Sequence, residues 1–190
     1  MKILVLDGNP LPDSFCSALA EEAATGAGTA GHEVQVLSLS KLQFDVNLSN
    51  ADPHLQPLEP DLETVWQSII WADRIILIHP LWWGAAPAKL KGLFDRVLRS
   101  RLAFEYQKTN PLPKGLLKGR TAEVILTSDT PTWFFHLGYR WAWPNILKRQ
   151  ILGFCGINVT KIHNFGPMRS ASERKRNTFL HKAAAIGSRR

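Results

Sequence analysis

Only two of the 190 residues are cysteines, Cys16 and Cys155, and they stand far apart. Such a pair builds no disulfide framework and no metal-ligand spacing, so both are expected as reduced thiols in a cytoplasmic protein, with no metal bound. No apolar run approaches the ~18 residues that a membrane-spanning helix needs, which excludes membrane insertion. The start, MKILVLDGNP, is not expected to be a signal peptide, because its apolar run is short and a turn follows at once. G-x-G-x-x-G and Walker loops are missing, and no nucleic-acid-binding motif is present. Acidic residues become scarce after residue 73. Residues 1–73 carry a net charge of −9 and residues 74–190 one of +16, within a total of +7. A basic half attracts anions, whether nucleic acid or a phosphate-bearing dinucleotide, or simply forms solvated helix faces. With its lysines and arginines scattered through amphipathic segments, no nucleic-acid partner is expected.

The rest is that of an ordinary globular protein, 45% hydrophobic and 21% charged. Apolar runs alternate with helical patterns. Strands are expected at 2–7, 33–39, 74–79, 121–128 and 158–164. Helices are expected at 14–27, from Asp61 as N-cap to 72, at 87–101 with Pro87 in the first turn, at 143–154 and at 172–186. A long polar connection covers 41–60. There are no repeats and no domain boundary, so residues 1–190 are read as one domain. Strands alternating with helices imply an α/β parallel sheet covered on both faces. In such sheets ligands bind beyond the carboxyl ends of the strands, near the point where strand order reverses. That places a site at three loops: 8–13, 80–86 and 129–133.

The first of these, GNPLPDSF, leads from strand to helix. The N–H groups of the helix start and the Ser14 hydroxyl suit a phosphate. The alternative is that Asp13 or Ser14 only caps the helix. The second loop, HPLWWGAAPA, places Trp82 and Trp83 where a ligand is expected; Trp82 equally suits packing on the following helix. His79 either approaches that ligand or caps a buried strand. The third loop, TSDTPTWFFHLGYRW, contains His136 and Tyr139.

Together GNPLPDSF (8–15), ADRIILIHPLWWGAAPAKLKGLFDRVL (72–98), LLKGRTAEVILTS (116–128) and ILGFCGINV (151–159) resemble, in order and over nearly the whole chain, the flavodoxin-like NAD(P)H:quinone oxidoreductase family. That family includes quinone reductases, modulator-of-drug-activity proteins and ancillary subunits of potassium-efflux systems. The resemblance implies a flavodoxin-like three-layer sandwich with a five-stranded parallel sheet in the order 2-1-3-4-5. It implies a flavin, FMN with FAD as the other option, and NAD(P)H as co-substrate. Asn9, Ser14, Phe15 and Cys16 would lie at the cofactor, the last three holding its phosphate. Pro80, Leu81, Trp82, Trp83 and Gly84 would run along the ring edge, offering backbone N–H groups, and Thr127, Ser128 and Asp129 would close the other side. Phe104 and Tyr106 would wall the substrate pocket, which in relatives often comes from a neighbouring subunit, so a homodimer is expected. The implied activity is two-electron, ping-pong hydride transfer to a quinone or similar small-molecule acceptor. The family also leaves open a flavin-bearing regulatory subunit of a membrane transporter or a flavodoxin-type electron carrier. The chain departs from the family at Asp129-Thr130-Pro131, where quinone reductases commonly carry a glycine pair; no role is carried over to His136 or Tyr139.

Overall fold

A computed structural model describes residues 1–50, 52–108 and 110–190. Ala51, in the expected 41–60 connection, and Thr109, in the 100–115 segment, lie outside the described residues. Strands β1 (Lys2–Asp7), β2 (Glu33–Ser38) and β3 (Arg74–Pro80) alternate with helices α1 (Phe15–Thr29) and α2 (Pro60–Trp71). Helix α3 (Ala88–Val97) leads into a two-stranded antiparallel ribbon of β4 (Phe104–Glu105) and β5 (Lys114–Gly115). Strand β6 (Thr121–Thr127) follows, then short helices α4 (Thr132–Leu137) and α5 (Ala142–Ile146). Alpha helix α5 continues as a π-helical segment (Leu147–Leu152), before β7 (Asn158–Phe165) and α6 (Glu173–Gly187). The five-stranded sheet runs β2-β1-β3-β6-β7, every pair parallel. Counting only these strands, this is the expected 2-1-3-4-5 order.

All seven residues of β3 are buried, which is why that strand reads as a continuous apolar run rather than an alternating one. Its side chains part to opposite faces. Ile75 and Leu77 join the core under α2, α3 and α5, while Ile76 and Ile78 join the core under α1 and α6. The three layers follow from that alternation.

Several local expectations are corrected. Asp61 does not cap α2; Glu59 is the N-cap residue, and the Asp61 carboxylate accepts from the Gln43 N–H at 2.6 Å, fastening the 41–60 connection. The helix after the tryptophans ends at Val97 rather than Arg101, with Pro87 just outside it at the N-cap. Arg96, on α3, explains much of that helix's role: its guanidinium, only 1% exposed, donates to Glu59 and to the carbonyls of Asp45 and Pro57. Both terminal nitrogens of the guanidinium are thereby spent on holding the long connection against the domain. The segment 132–137, expected as loop, is helical.

Candidate active site at the carboxyl edge of the sheet

Strand order reverses between β1 and β3, and the loops that follow β1, β3 and β6 converge there. At the first, Gly8 lets the chain pass close to β3: its N–H donates to the Ile78 carbonyl at 2.7 Å, and a Cβ on it would lie 2.6 Å from Leu90. Asp7, almost fully buried, accepts from the Asn9 N–H and from the hydroxyls of Ser17 and Ser38. Asn9 in turn accepts from the Leu11 N–H. Asp13 takes a left-handed conformation (φ 51°) and is exposed, while Ser14 is the N-cap and accepts from the Ser17 N–H at 3.2 Å. This settles which of the two residues caps. The N–H groups of Phe15 and Cys16 have no partner within the helix, so the α1 N-terminus can receive an anion beside its cap. The Arg176 guanidinium stands 5.8 Å over the Phe15 ring and adds positive charge. The Cys16 side chain is buried, its thiol 3.4 Å from the Thr127 hydroxyl. Burial pushes that thiol up to about 12, so it stays protonated, and the residue can serve an anion only through its backbone.

The second loop answers why two tryptophans follow a strand. Trp82 and Ala85 exchange both backbone hydrogen bonds, at 2.9 and 3.1 Å. Trp83 (φ 51°) and Gly84 (φ 79°) form the two central positions with positive φ, the pattern of a type I′ turn. Gly84 adopts it freely; Trp83 does so at a cost of about 1 kcal/mol. The turn lifts the Trp83 ring clear of the body, fully exposed, whereas Trp82 is 41% exposed. Of the five residues expected to offer N–H groups, Pro80 has none, Leu81 spends its own on the Thr127 carbonyl and Trp82 on Ala85. Turn geometry leaves those of Trp83 and Gly84 free.

Behind the turn, His79 has no exposed surface. The Trp143 indole N–H reaches its Nε2 at 3.3 Å, and its Nδ1 lies 2.8 Å from the Pro80 carbonyl. An indole can only donate and a carbonyl can only accept. His79 is therefore the neutral tautomer with the proton on Nδ1, and it ties β3 to α5 rather than facing a ligand. Burial, opposed only by the Pro80 carbonyl, lowers its pKa to about 4. An unfolded histidine titrates near 6.5, so the unfolded chain binds the extra proton first. The contribution of His79 is thus complete above pH 6.5 and is lost as pH falls toward 4, by about 3 kcal/mol. His79→Gln is expected to flatten unfolding free energy between pH 6.5 and 4, measured by denaturant titration; a slope equal to the parent's would show that His79 is not its source.

The third loop completes a cleft of about 590 Å³. Leu81, Trp83 and Gly84 form one side; Ser128, Asp129 and Thr130 form another. Phe135, Tyr139, Ala142 and Trp143 supply the remainder, an aromatic wall from α4 and α5. Ser128 is fixed by its N–H to the Phe165 carbonyl and by its hydroxyl to Asn164, and the Asp129 carboxylate accepts from the Arg169 N–H at 2.6 Å. Pro80, Trp82 and Thr127 adjoin these residues in sequence without lining the cleft.

Phe104 and Tyr106 take no part in this cleft. Phe104 packs on Phe154 (4.8 Å between ring centroids) and lines a second groove of about 460 Å³ with Leu48, Ile146 and Ile151, while Tyr106 is 74% exposed. Neither residue lines the cleft within this chain, although the groove that Phe104 lines adjoins it through Trp143, which lines both. Conversely, Phe135 and Trp143 are cleft residues that no local pattern marked. Their only signal was the density of aromatics between 133 and 143, which does not say which rings turn inward. Tyr139 lines the cleft; His136 does not, lying flat on Trp141 at 4.1 Å.

Residues 1–186 match a family described as having a flavodoxin-like fold. A Haemophilus influenzae protein named as an uncharacterized NAD(P)H oxidoreductase is 28% identical over 177 residues, 90% of this chain and 86% of its own. An FMN-dependent NADH:quinone oxidoreductase of Pseudomonas aeruginosa is 39% identical over 101 residues, 50% of this chain and 45% of its own. Among solved structures, the NAD(P)H:quinone oxidoreductase of Methanothermobacter marburgensis is 27% identical, covers 99% of this chain and 98% of its own, and superposes with a TM-score of 0.80.

Proposed function

The chain belongs to this family of flavodoxin-like fold, and from that premise we propose that it is an FMN-dependent NAD(P)H:quinone oxidoreductase. The observation that carries the reading is the cleft between the second and third loops, at the same carboxyl edge of the sheet as the capped α1 N-terminus. Its parts suit a flavin. The α1 start has free N–H groups and a nearby guanidinium for a phosphate. Trp83 and Tyr139 offer exposed aromatic faces to a flat ring over a floor made by the buried Phe135 and Trp143, and the Trp83 and Gly84 N–H groups can meet its polar edge. When bound, the flavin supplies hydride acceptance from NAD(P)H and two-electron delivery to a quinone. The protein's own contribution is to hold, orient and shield. The free N–H groups of the turn would stabilise negative charge gathering on the ring edge, at no cost in reorganisation. His79, neutral and fully hydrogen-bonded, has no proton to give in this range of pH. One open cleft serves both substrates, so they would occupy it in turn, which is the basis for a ping-pong order. Purified protein is expected to bind one FMN per chain and to oxidise NADH or NADPH with a soluble quinone. A protein that stays colourless after incubation with FMN and with FAD would refute this.

Trp83 separates a ligand role from a structural one. Its ring touches solvent on all sides, so Trp83→Ala removes no packing and keeps the same strained φ. The apo-protein should melt within a degree or so of the parent, while FMN binds about tenfold more weakly. Unchanged FMN affinity would assign the ring elsewhere.

The assembly is proposed to be a two-fold homodimer. Tyr106 and Leu112, 74% and 70% exposed, project from the ribbon that borders the second groove. Apolar side chains so placed suit a second copy. Equilibrium sedimentation at micromolar concentration should give twice the mass of the chain; a fully active monomer would overturn the proposal.

A further inference from the structure

Among the described residues that line the cleft of about 590 Å³, Asp129 alone carries a formal charge; the others are glycine or bear apolar, aromatic or hydroxyl side chains. It stands where the chain departs from the family's common glycine pair, and it is exposed. One carboxylate oxygen is occupied: Oδ1 accepts from the Arg169 N–H at 2.6 Å, which ties the loop after β6 to the segment before α6. The other oxygen has no hydrogen-bond partner among the described residues, and the carboxylate enters no ion pair with them. Arg140, beside Tyr139, and Arg169 are exposed, and neither lines the cleft. No further acid follows Asp129 before Glu173, so it is set in the basic half of the chain, whose net charge is +16.

We propose that Asp129 is a specificity-determining residue: its free carboxylate oxygen excludes acceptors that bear an acid group on the reacting ring and admits neutral or cationic rings. The inference rests on the quinone-reductase reading of the cleft and adds the acceptor class to it. Two opposed fields act on an incoming anion. The basic half attracts it from a distance, but exposed charges farther off than ~10 Å are largely screened at 0.1 M salt. Inside the cleft, apolar walls lower the effective dielectric, and a charge at short range acts several times more strongly than in bulk water. The nearest charge therefore decides, and for an anion it is repulsive. The co-substrate passes the same filter, because a nicotinamide ring is neutral when reduced and cationic when oxidised, with its phosphates away from the ring. A residue that only tied the loop would need Oδ1 alone. Asparagine keeps that acceptor and the shape of the side chain, so it separates the tie from the charge.

The test is equilibrium binding to the protein at saturating FMN, with no NAD(P)H present and hence no turnover. It is read from intrinsic tryptophan fluorescence, to which Trp83 and Trp143 of the cleft contribute. Two pairs of probes differ within each pair by one charge: 1,4-naphthoquinone with its 2-sulfonate, and nicotinamide with the 1-methylnicotinamide cation. Asp129→Asn should tighten the sulfonate about fivefold or more, weaken the cation by a similar factor and leave both neutral probes within about twofold. The parent by itself supplies a second measurement. If the local repulsion wins, its affinity for the sulfonate rises with added salt; an affinity that falls with salt would show that attraction by the basic half wins, and would overturn the proposal. All four probes shifting together in Asp129→Asn would make the residue a structural tie, and no shift in either charged probe would remove it from the ligand's reach; each result sinks the proposal. Because binding is read without turnover, a protein that shows the opposed shifts but oxidises no NAD(P)H sinks the reductase reading and leaves the charge filter standing. One that reduces a quinone yet shows no opposed shifts does the reverse.

Discussion

Ser14→Glu should yield a folded protein without FMN. In the parent, the Ser14 hydroxyl accepts from the Ser17 N–H and leaves the Phe15 and Cys16 N–H groups for an anion. A glutamate caps poorly, which costs the helix about 1 kcal/mol. Its charge, however, is favourable to the α1 dipole, so the fold should survive. The same charge is repulsive to a phosphate at that spot, and it adds to the buried Asp7 carboxylate beneath the loop. FMN affinity should drop by about a hundredfold or more, equivalent to roughly 2.7 kcal/mol. Riboflavin, which lacks the phosphate, should bind variant and parent alike. Equal losses for both flavins would mean that the variant damages the ring site, and an undiminished FMN load would place the phosphate elsewhere.

The largest loss of stability is expected at the opposite end of the sheet. Glu123, on β6, is almost fully buried and receives Arg74 at 2.6 Å, His163 at 2.6 Å and Arg189 at 2.8 Å. Burial alone would raise its carboxyl, but the hydrogen bonds from His163 and Arg74 and the charge of Arg74 outweigh it and hold the group below the ordinary carboxylate range. Arg74 also donates to the carbonyls of Ile186 and Arg189, so the cluster anchors the end of α6. Glu123→Ala leaves the buried Arg74 charge without its counter-ion, at a cost of about 3–5 kcal/mol. Because the folded carboxyl is more acidic than the unfolded one, its contribution is complete above the unfolded value near 4.5 and fades as pH falls through the folded value. Denaturant unfolding at neutral pH measures the loss, and a change below about 1 kcal/mol would show the cluster to be energetically idle. Since Glu123 lies near the start of β6 and the cleft near its end, flavin affinity in the folded fraction should be retained.

The two predictions rest on residues of unequal legibility. Ser14 could be found in the sequence, because GNPLPDSF joins a strand to a helix and any strand-to-helix loop at a sheet's carboxyl edge points donors at the same place. Glu123 could not. TAEVILT reads as a buried strand interrupted by an acid, and its partners are 49, 40 and 66 residues away. Boundaries failed where local rules compete. Pro87 suits either the N-cap or the first turn, and the backbone chose the former (φ −52°, ψ 144°). Within the expected 143–154 helix, the Gly153 N–H bonds the Lys148 carbonyl, a π-type step that leaves no mark in composition.

The chain by itself determined the parallel sheet, its layers and the three loops at its carboxyl edge, two of which line the cleft. Strands buried on both faces must be apolar throughout, and loops between such strands and helices must emerge at one edge. Tertiary structure decided which side chains meet there. Trp82 and Trp83 are adjacent and chemically identical, and only the backbone exchange between Trp82 and Ala85 makes Trp83 the one that stands free. Likewise His79 looked equally suited to ligand and core until Trp143, 64 residues on, supplied the donor that fixed its tautomer. Phe104 was drawn to a different groove by Phe154. Contacts of this kind depend on how separate elements pack, a long-range outcome that no window of local sequence contains.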